Sequence, residues 1–119
     1  MLESRIPDLT LNEYQIRANF TAPMKLSAEL RIATFALGIA GEAGEVADMV
    51  KKELGHGHET DRVQMAKELG DVLWYVAALA KVYGWSLAEV GQMNIDKLKA
   101  RYPSGFSPEN SISRKENDI

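Results

Sequence analysis

The chain has no cysteine, which excludes disulfide frameworks, thiolate metal sites and thiol redox chemistry together. A basic excess is also missing. Lys and Arg number 14 against 17 Asp and Glu, a net charge of -3, which is the wrong sign for displacing counterions from a nucleic-acid backbone. No nucleic-acid partner is therefore expected, although an anion could still bind through a metal. Long apolar runs are absent too. The longest, Val72 to Ala80, falls far short of the roughly 20 residues that cross a bilayer, and the start Met1-Leu2-Glu3-Ser4-Arg5 has no apolar signal core. These absences predict a soluble, cytoplasmic protein with no membrane partner. At 119 residues a single domain is expected, small enough for association between copies to help stabilise it.

What is present is a series of helix signals. Thr10-Leu-Asn-Glu13 reads as a capping box opening a helix from about Leu11 to Asn19, with Thr10 accepting from the backbone three residues on and Glu13 reaching back. Pro23 interrupts, and Ser27 offers an N-cap for a long second helix to about Leu54, with Gly55 expected to end it. Asp61, followed by Gln64, opens a third helix that runs to about Tyr83 before Gly84. Ser86-Leu-Ala-Glu89 opens a fourth, to about Arg101. The expected architecture is all-α, a four-to-five-helix bundle completed by oligomerisation. Residues 1-103 form its domain, and residues 104-119, polar and without a period, read as a C-terminal arm or disordered tail.

Two acidic pairs stand out, Glu42 with Glu45 and Glu68 with Asp71. A spacing of three residues puts both carboxylates of a pair on one helix face. Those faces should be apolar. At about 100° per residue, Glu42 shares its face with Phe35, Gly38, Val46 and Met49, and Glu68 shares an arc with Met65, Val72, Tyr75 and Leu79. Inward-facing carboxylates repel one another and resist desolvation unless a cation joins them. If the Gly55-His56-Gly57-His58 turn makes an antiparallel hairpin, the pairs lie roughly 16 Å and 13 Å from it at about 1.5 Å per residue. They should then face each other. A ligand set of oxygens alone favours a hard ion, Mg²⁺ or Mn²⁺, over zinc.

At these residues the sequence resembles the MazG-like members of the all-α nucleoside triphosphate pyrophosphohydrolases, whose hallmark is Glu-x-x-Glu followed by Glu-x-x-Asp on neighbouring helices. The resemblance extends through Lys-Glu-Leu-Gly-Asp-Val-Leu-Trp-Tyr at 67-75 and the segment from Asn94 to Pro103, and covers Leu9 to Phe106. It implies attack of water on the α-phosphorus of a (deoxy)nucleoside triphosphate, giving the monophosphate and pyrophosphate, in nucleotide-pool clean-up. Glu42, Glu45, Glu68 and Asp71 would then hold Mg²⁺, with Glu42 or Glu45 as catalytic base, and Asn94, Lys97 and Arg101 would hold phosphate oxygens from the fourth helix. A dimeric dUTPase, a phosphoribosyl-ATP pyrophosphohydrolase and a non-catalytic helical interaction module are the alternatives.

Several further features bear on partners and substrate. The run from Val72 to Ala80 is apolar on every side of its helix, which implies a covering partner subunit, in a dimer or tetramer. Gly38, Gly41 and Gly44 lie inside the second helix, where each costs about 1 kcal/mol against Ala, so a close approach of another element or of a ligand is expected. Glu53-Leu-Gly-His56 matches one half of a di-iron motif whose other half is missing, and His56 and His58 read as solvated turn residues. The fourth helix should bury a stripe of Leu87, Val90, Gly91 and Leu98, with Asn94 and Arg101 on it and Lys97 at its margin. Phe35, Tyr14 and Trp74 are candidates for stacking on a base.

Overall fold

The computed structural model describes residues 8-114. Five helices follow one another: α1 (Leu11–Asn19), α2 (Ala28–His56), α3 (Arg62–Val82), α4 (Leu87–Arg101) and α5 (Pro108–Ile112). Among the described residues there is no β-strand. The chain is all-α, as the cap signals predict.

The caps show why the helices begin where they do. Ser27 Oγ accepts from the Leu30 N–H (3.2 Å), and Asp61 Oδ1 accepts from Val63 and Gln64 (2.9 and 3.3 Å). Ser86 and Glu89 form a full capping box: Ser86 Oγ accepts from the Glu89 N–H, and Glu89 Oε1 accepts from the Ser86 N–H (3.1 and 2.9 Å). The box at Thr10 is only half made. Thr10 Oγ1 accepts from the Glu13 N–H, but Glu13 returns to the threonine hydroxyl and not to the backbone (both 3.1 Å). The end of α2 also departs from expectation. The helix continues through Gly55, and the residue that stops it is Gly57, at φ 75°. That left-handed conformation is the one glycine adopts without strain.

Helices α2 and α3 pack antiparallel, so that rising numbers on α2 meet falling numbers on α3. Phe35, 2% exposed, is the largest fully buried side chain, and its ring meets Trp74 edge-on at 5.7 Å between centroids. Helix α1 ties this hairpin to α4 through Gln15, 7% exposed. Its Nε2 donates to Ala77 O and Trp85 O (both 3.1 Å), and its Oε1 accepts from the Leu87 N–H (2.9 Å). Every hydrogen-bonding group of this amide that a corner needs is thus used. Trp74 Nε1 donates back to Ala18 O and Thr21 Oγ1 (3.2 and 2.9 Å).

Among the described residues, the buried apolar set is Phe35, Ala77, Ala78 and Leu87. Part of the Val72–Ala80 run is thus covered within the chain, at Ala77 and Ala78, while Leu73 stays exposed, as does Leu69 just before the run. A wider open face lies on α2. Leu30, Ala33, Leu37, Ala40, Gly44 and Ala47 are all exposed, and their alternating three- and four-residue spacing makes one narrow seam. The stripe expected on α4 is covered only in its first half. Leu87 is buried and a Cβ added at Gly91 would touch Leu11 Cδ1 at 3.6 Å, but Asn94, Lys97 and Leu98 are exposed. The reason is length: α1 starts at Leu11, opposite Gly91, and reaches no further along α4.

In the arm, Ser107 caps the five-residue α5, accepting from the Asn110 N–H at 3.0 Å. The Phe106 ring packs against Tyr102, tilted by 41° at 5.3 Å between centroids. Residues 115-119 of the arm and the Met1–Arg5 start lie outside the described residues. Among the described residues, no helix is long and apolar enough to cross a membrane.

Candidate metal centre

The antiparallel register of α2 and α3 brings one oxygen each of Glu42, Glu68 and Asp71 within 4.8 Å of one another. Glu42 and Glu68 are half-buried and Asp71 is exposed. The arrangement is electrostatically costly. Partial burial, followed by the charges of Asp71, Glu68 and Glu45 and a side-chain hydrogen bond to Glu68, raises the Glu42 carboxyl above the ordinary glutamate value. Gln64 Nε2 donates to Glu68 Oε1 (3.1 Å), which fixes one oxygen of Glu68 from the turn before it. Three converging carboxylates with only oxygen donors fit a hard divalent cation, Mg²⁺ or Mn²⁺, because such a charge turns mutual repulsion into ligation.

Glu45 stands outside this group. It is exposed and acts on Glu42 only through its charge; it also lies near enough to Lys52 to favour that cation. One turn further, Asp48 shows what a neutralised acid on the same helix looks like. Lys52 and Lys51 bond it at 2.8 and 3.3 Å, and these bonds hold its carboxyl below the ordinary aspartate value.

The predicted phosphate clamp is not brought into the acidic group. Asn94 and Lys97 are exposed on α4, which packs on α1 and α3. Arg101 is half-buried with its guanidinium 5.8 Å from the centre of the Tyr102 ring. His56 and His58 are exposed in and beside the turn, their rings 6.4 Å apart, and belong to no ligand group with the carboxylates. Of the stacking candidates, Phe35 is withdrawn: a ring 2% exposed offers no face to a base. Trp74 is half-buried and engaged with α1. Tyr14 is half-buried, and burial together with the Asp71 charge raises its hydroxyl above the ordinary value, which places it on the acidic side of the bundle.

The sequence signal for Gln64 as a brace is its place four residues before Glu68, the spacing at which it can reach that side chain, beside its place in the α3 cap. Among the glycines, only Gly38 makes the expected close approach: a Cβ there would overlap the Tyr75 ring, whereas at Gly41 and Gly44 it would meet nothing within 4 Å.

Residues 31-106 match the family model of the MazG nucleotide pyrophosphohydrolase domain. The match takes in nearly all of α2 and the whole of α3 and α4, and leaves α1 outside. The Gene 37 protein of Mycobacterium phage L5 is 38% identical over 100 residues, covering 77% of this chain and 88% of that protein. No solved structure matches.

Proposed function

The chain belongs to the MazG nucleotide pyrophosphohydrolase family, and on that premise we propose that it hydrolyses (deoxy)nucleoside triphosphates to nucleoside monophosphate and pyrophosphate, with Mg²⁺ as cofactor and Mn²⁺ as substitute. The observation that carries the reading is the convergence of Glu42, Glu68 and Asp71 within 4.8 Å, whereas Asp48, further along α2, is neutralised by lysines.

Glu42, Glu68 and Asp71 would hold the cation, and Gln64, bonded to Glu68 Oε1, would steady that carboxylate. When bound, the cation neutralises phosphate oxygens and lowers the pKa of water. Glu45, exposed beside the group, joins as a further ligand or accepts the proton of the attacking water; Glu42 is the alternative base. Water oxygen bonds to the α-phosphorus, the bond from that phosphorus to the α–β bridging oxygen breaks, and pyrophosphate leaves with the electron pair. Asn94, Lys97 and Arg101 grip phosphate oxygens by charge-assisted bonds. Clean-up of the nucleotide pool in the cytoplasm is the role this activity serves.

The working form is a homo-oligomer, a dimer or tetramer. The support is the small buried apolar set and the open seam on α2, where Leu37 is 72% exposed. Leu37→Glu would put a charge into that seam, and sedimentation at micromolar concentration reads the outcome: wild type associated, the variant shifted to monomer. A wild type sedimenting as a folded monomer contradicts this part.

The catalytic reading is tested by incubating the protein with a mixture of canonical and modified nucleoside triphosphates and Mg²⁺. Pyrophosphate release that stops on adding a chelator is expected. Release of orthophosphate alone, or no release from any nucleotide, contradicts it.

A further inference from the structure

One helical turn from the acidic group, α2 and α3 make a close contact at Gly38 and Tyr75. Gly38 precedes Glu42 by four residues and Tyr75 follows Asp71 by four, so in the antiparallel register the Gly38–Tyr75 contact lies about 6 Å along the hairpin from the carboxylates. The Tyr75 ring occupies the space over Gly38 that any side chain would fill: an added Cβ would overlap its Cδ1, Cε1 and Cζ. The ring is half-buried and flanked by two others. Trp74 abuts it edge-on at 5.0 Å between centroids, Phe35 flanks it at 6.4 Å, and these two rings are themselves in edge contact at 5.7 Å. Trp74 is pinned in turn by its indole N–H to Ala18 and Thr21.

We infer that Gly38 and Tyr75 are positioning residues for the metal centre: the ring seated on the bare glycine backbone sets the separation of α2 and α3, and with it the distance from Glu42 to Glu68 and Asp71. The inference rests on the reading of those carboxylates as cation ligands. Packed interiors do not absorb an extra methyl without moving something. With Trp74 and Phe35 against the ring, the change is taken up in the spacing of the two helices. Mg²⁺ is the ion most sensitive to such a change, because it demands near-octahedral oxygens at about 2.1 Å, whereas Ca²⁺ accepts about 2.3 to 2.6 Å and irregular geometry. Gly41 and Gly44 provide an internal control. They lie on the same helix, flank Glu42 and Glu45, and have open space where a Cβ would be.

The test is calorimetric titration of Mg²⁺ and of Ca²⁺, without nucleotide, into the full-length wild type, Gly38→Ala, Gly41→Ala, Tyr75→Leu and the double variant Gly38→Ala/Tyr75→Leu, each checked for helicity. Gly38→Ala should weaken Mg²⁺ binding about tenfold, the scale on which supporting residues act on metal affinity. Ca²⁺ should be affected less, so the preference between the ions shifts toward the larger. The double variant, in which the methyl replaces volume that the ring gives up, should regain most of the loss, and Gly41→Ala should bind Mg²⁺ as wild type does. Wild-type Mg²⁺ affinity in Gly38→Ala overturns the inference while leaving the ligand assignment in place, as does an equal loss for both ions that the double variant fails to recover. If Gly38→Ala does not fold, Tyr75→Leu decides alone: weaker Mg²⁺ binding is expected, and unchanged binding overturns. A wild type that binds no Mg²⁺ overturns the inference and the metal reading together.

Discussion

Glu42 and Asp48 lie less than two turns apart on α2, and they solve the problem of a carboxylate on a helix in opposite ways. Asp48 is bonded by Lys51 and Lys52, its carboxyl is held down by those cations, and nothing is left for it to do. Glu42 faces Glu68 and Asp71, with its carboxyl pushed up by burial and by like charge. Helix α2 supplies two lysines to Asp48, whereas Glu42 meets the carboxylates of Glu68 and Asp71 on α3 and is left in want of a cation from outside. That difference, more than the presence of acidic residues, is the ground on which we propose Glu42 as a cation ligand.

The largest effect should come from breaking the unpaired side. Glu42→Gln, Glu68→Gln and Asp71→Asn should each remove most pyrophosphate release and abolish the rise in melting temperature that Mg²⁺ gives wild type. The apo proteins should melt no lower than wild type, because each change relieves repulsion. Unfolding with the Mg²⁺ response retained would refute the assignment. Glu45→Gln belongs to the same series and sharpens it. As a ligand it would lower the Mg²⁺ response; as a base alone it would lower turnover and leave the response intact.

Next in size are the α4 residues. Asn94→Ala and Lys97→Ala should weaken substrate binding or turnover by about 1.5 to 3 kcal/mol, the scale of a hydrogen bond to a charged group, with Mg²⁺ binding in the absence of nucleotide unchanged. Steady-state kinetics beside metal titration separates the two. Wild-type kinetics in Lys97→Ala would leave it a surface lysine.

A smaller, signed effect lies in the pH dependence of the metal-free protein. The Glu42 carboxyl has its folded pKa above its unfolded one, so its contribution to stability is fullest at low pH and is lost as pH rises through the folded value. Asp48 is the reverse: its contribution is present above the unfolded pKa and lost as pH falls through the depressed folded value. With chelator present, the melting temperature of wild type relative to Glu42→Gln should therefore rise on acidification from neutrality into the carboxylate range. Relative to Asp48→Asn it should fall. Matching trends for the two variants would erase the contrast on which the site rests.

Much of this was legible in the sequence because it depends on short-range chemistry. Ser27, Asp61 and Ser86 cap the helices they were expected to cap, and the pairing of Glu42 with Glu68 and Asp71 follows from helix periodicity plus one turn. What was not legible depends on which element covers which. Gln15 sits on the stripe of Leu11 and Ala18, the signal of a buried amide, but only the α3–α4 corner shows that its partners are Ala77, Trp85 and Leu87. The exposure of Asn94 and Lys97 follows from where α1 begins relative to α4, which no local pattern encodes. Helix α2 outran Gly55 because a glycine at an ordinary helical φ is merely costly, whereas Gly57 adopts a conformation that other residues avoid.

The most direct test of the contrast is calorimetric titration of Mg²⁺ into wild type, Glu42→Gln and Asp48→Asn side by side, without nucleotide. Wild type and Asp48→Asn should bind with the same affinity and Glu42→Gln should show no saturable binding; retained binding in Glu42→Gln, or its loss in Asp48→Asn, would contradict the account.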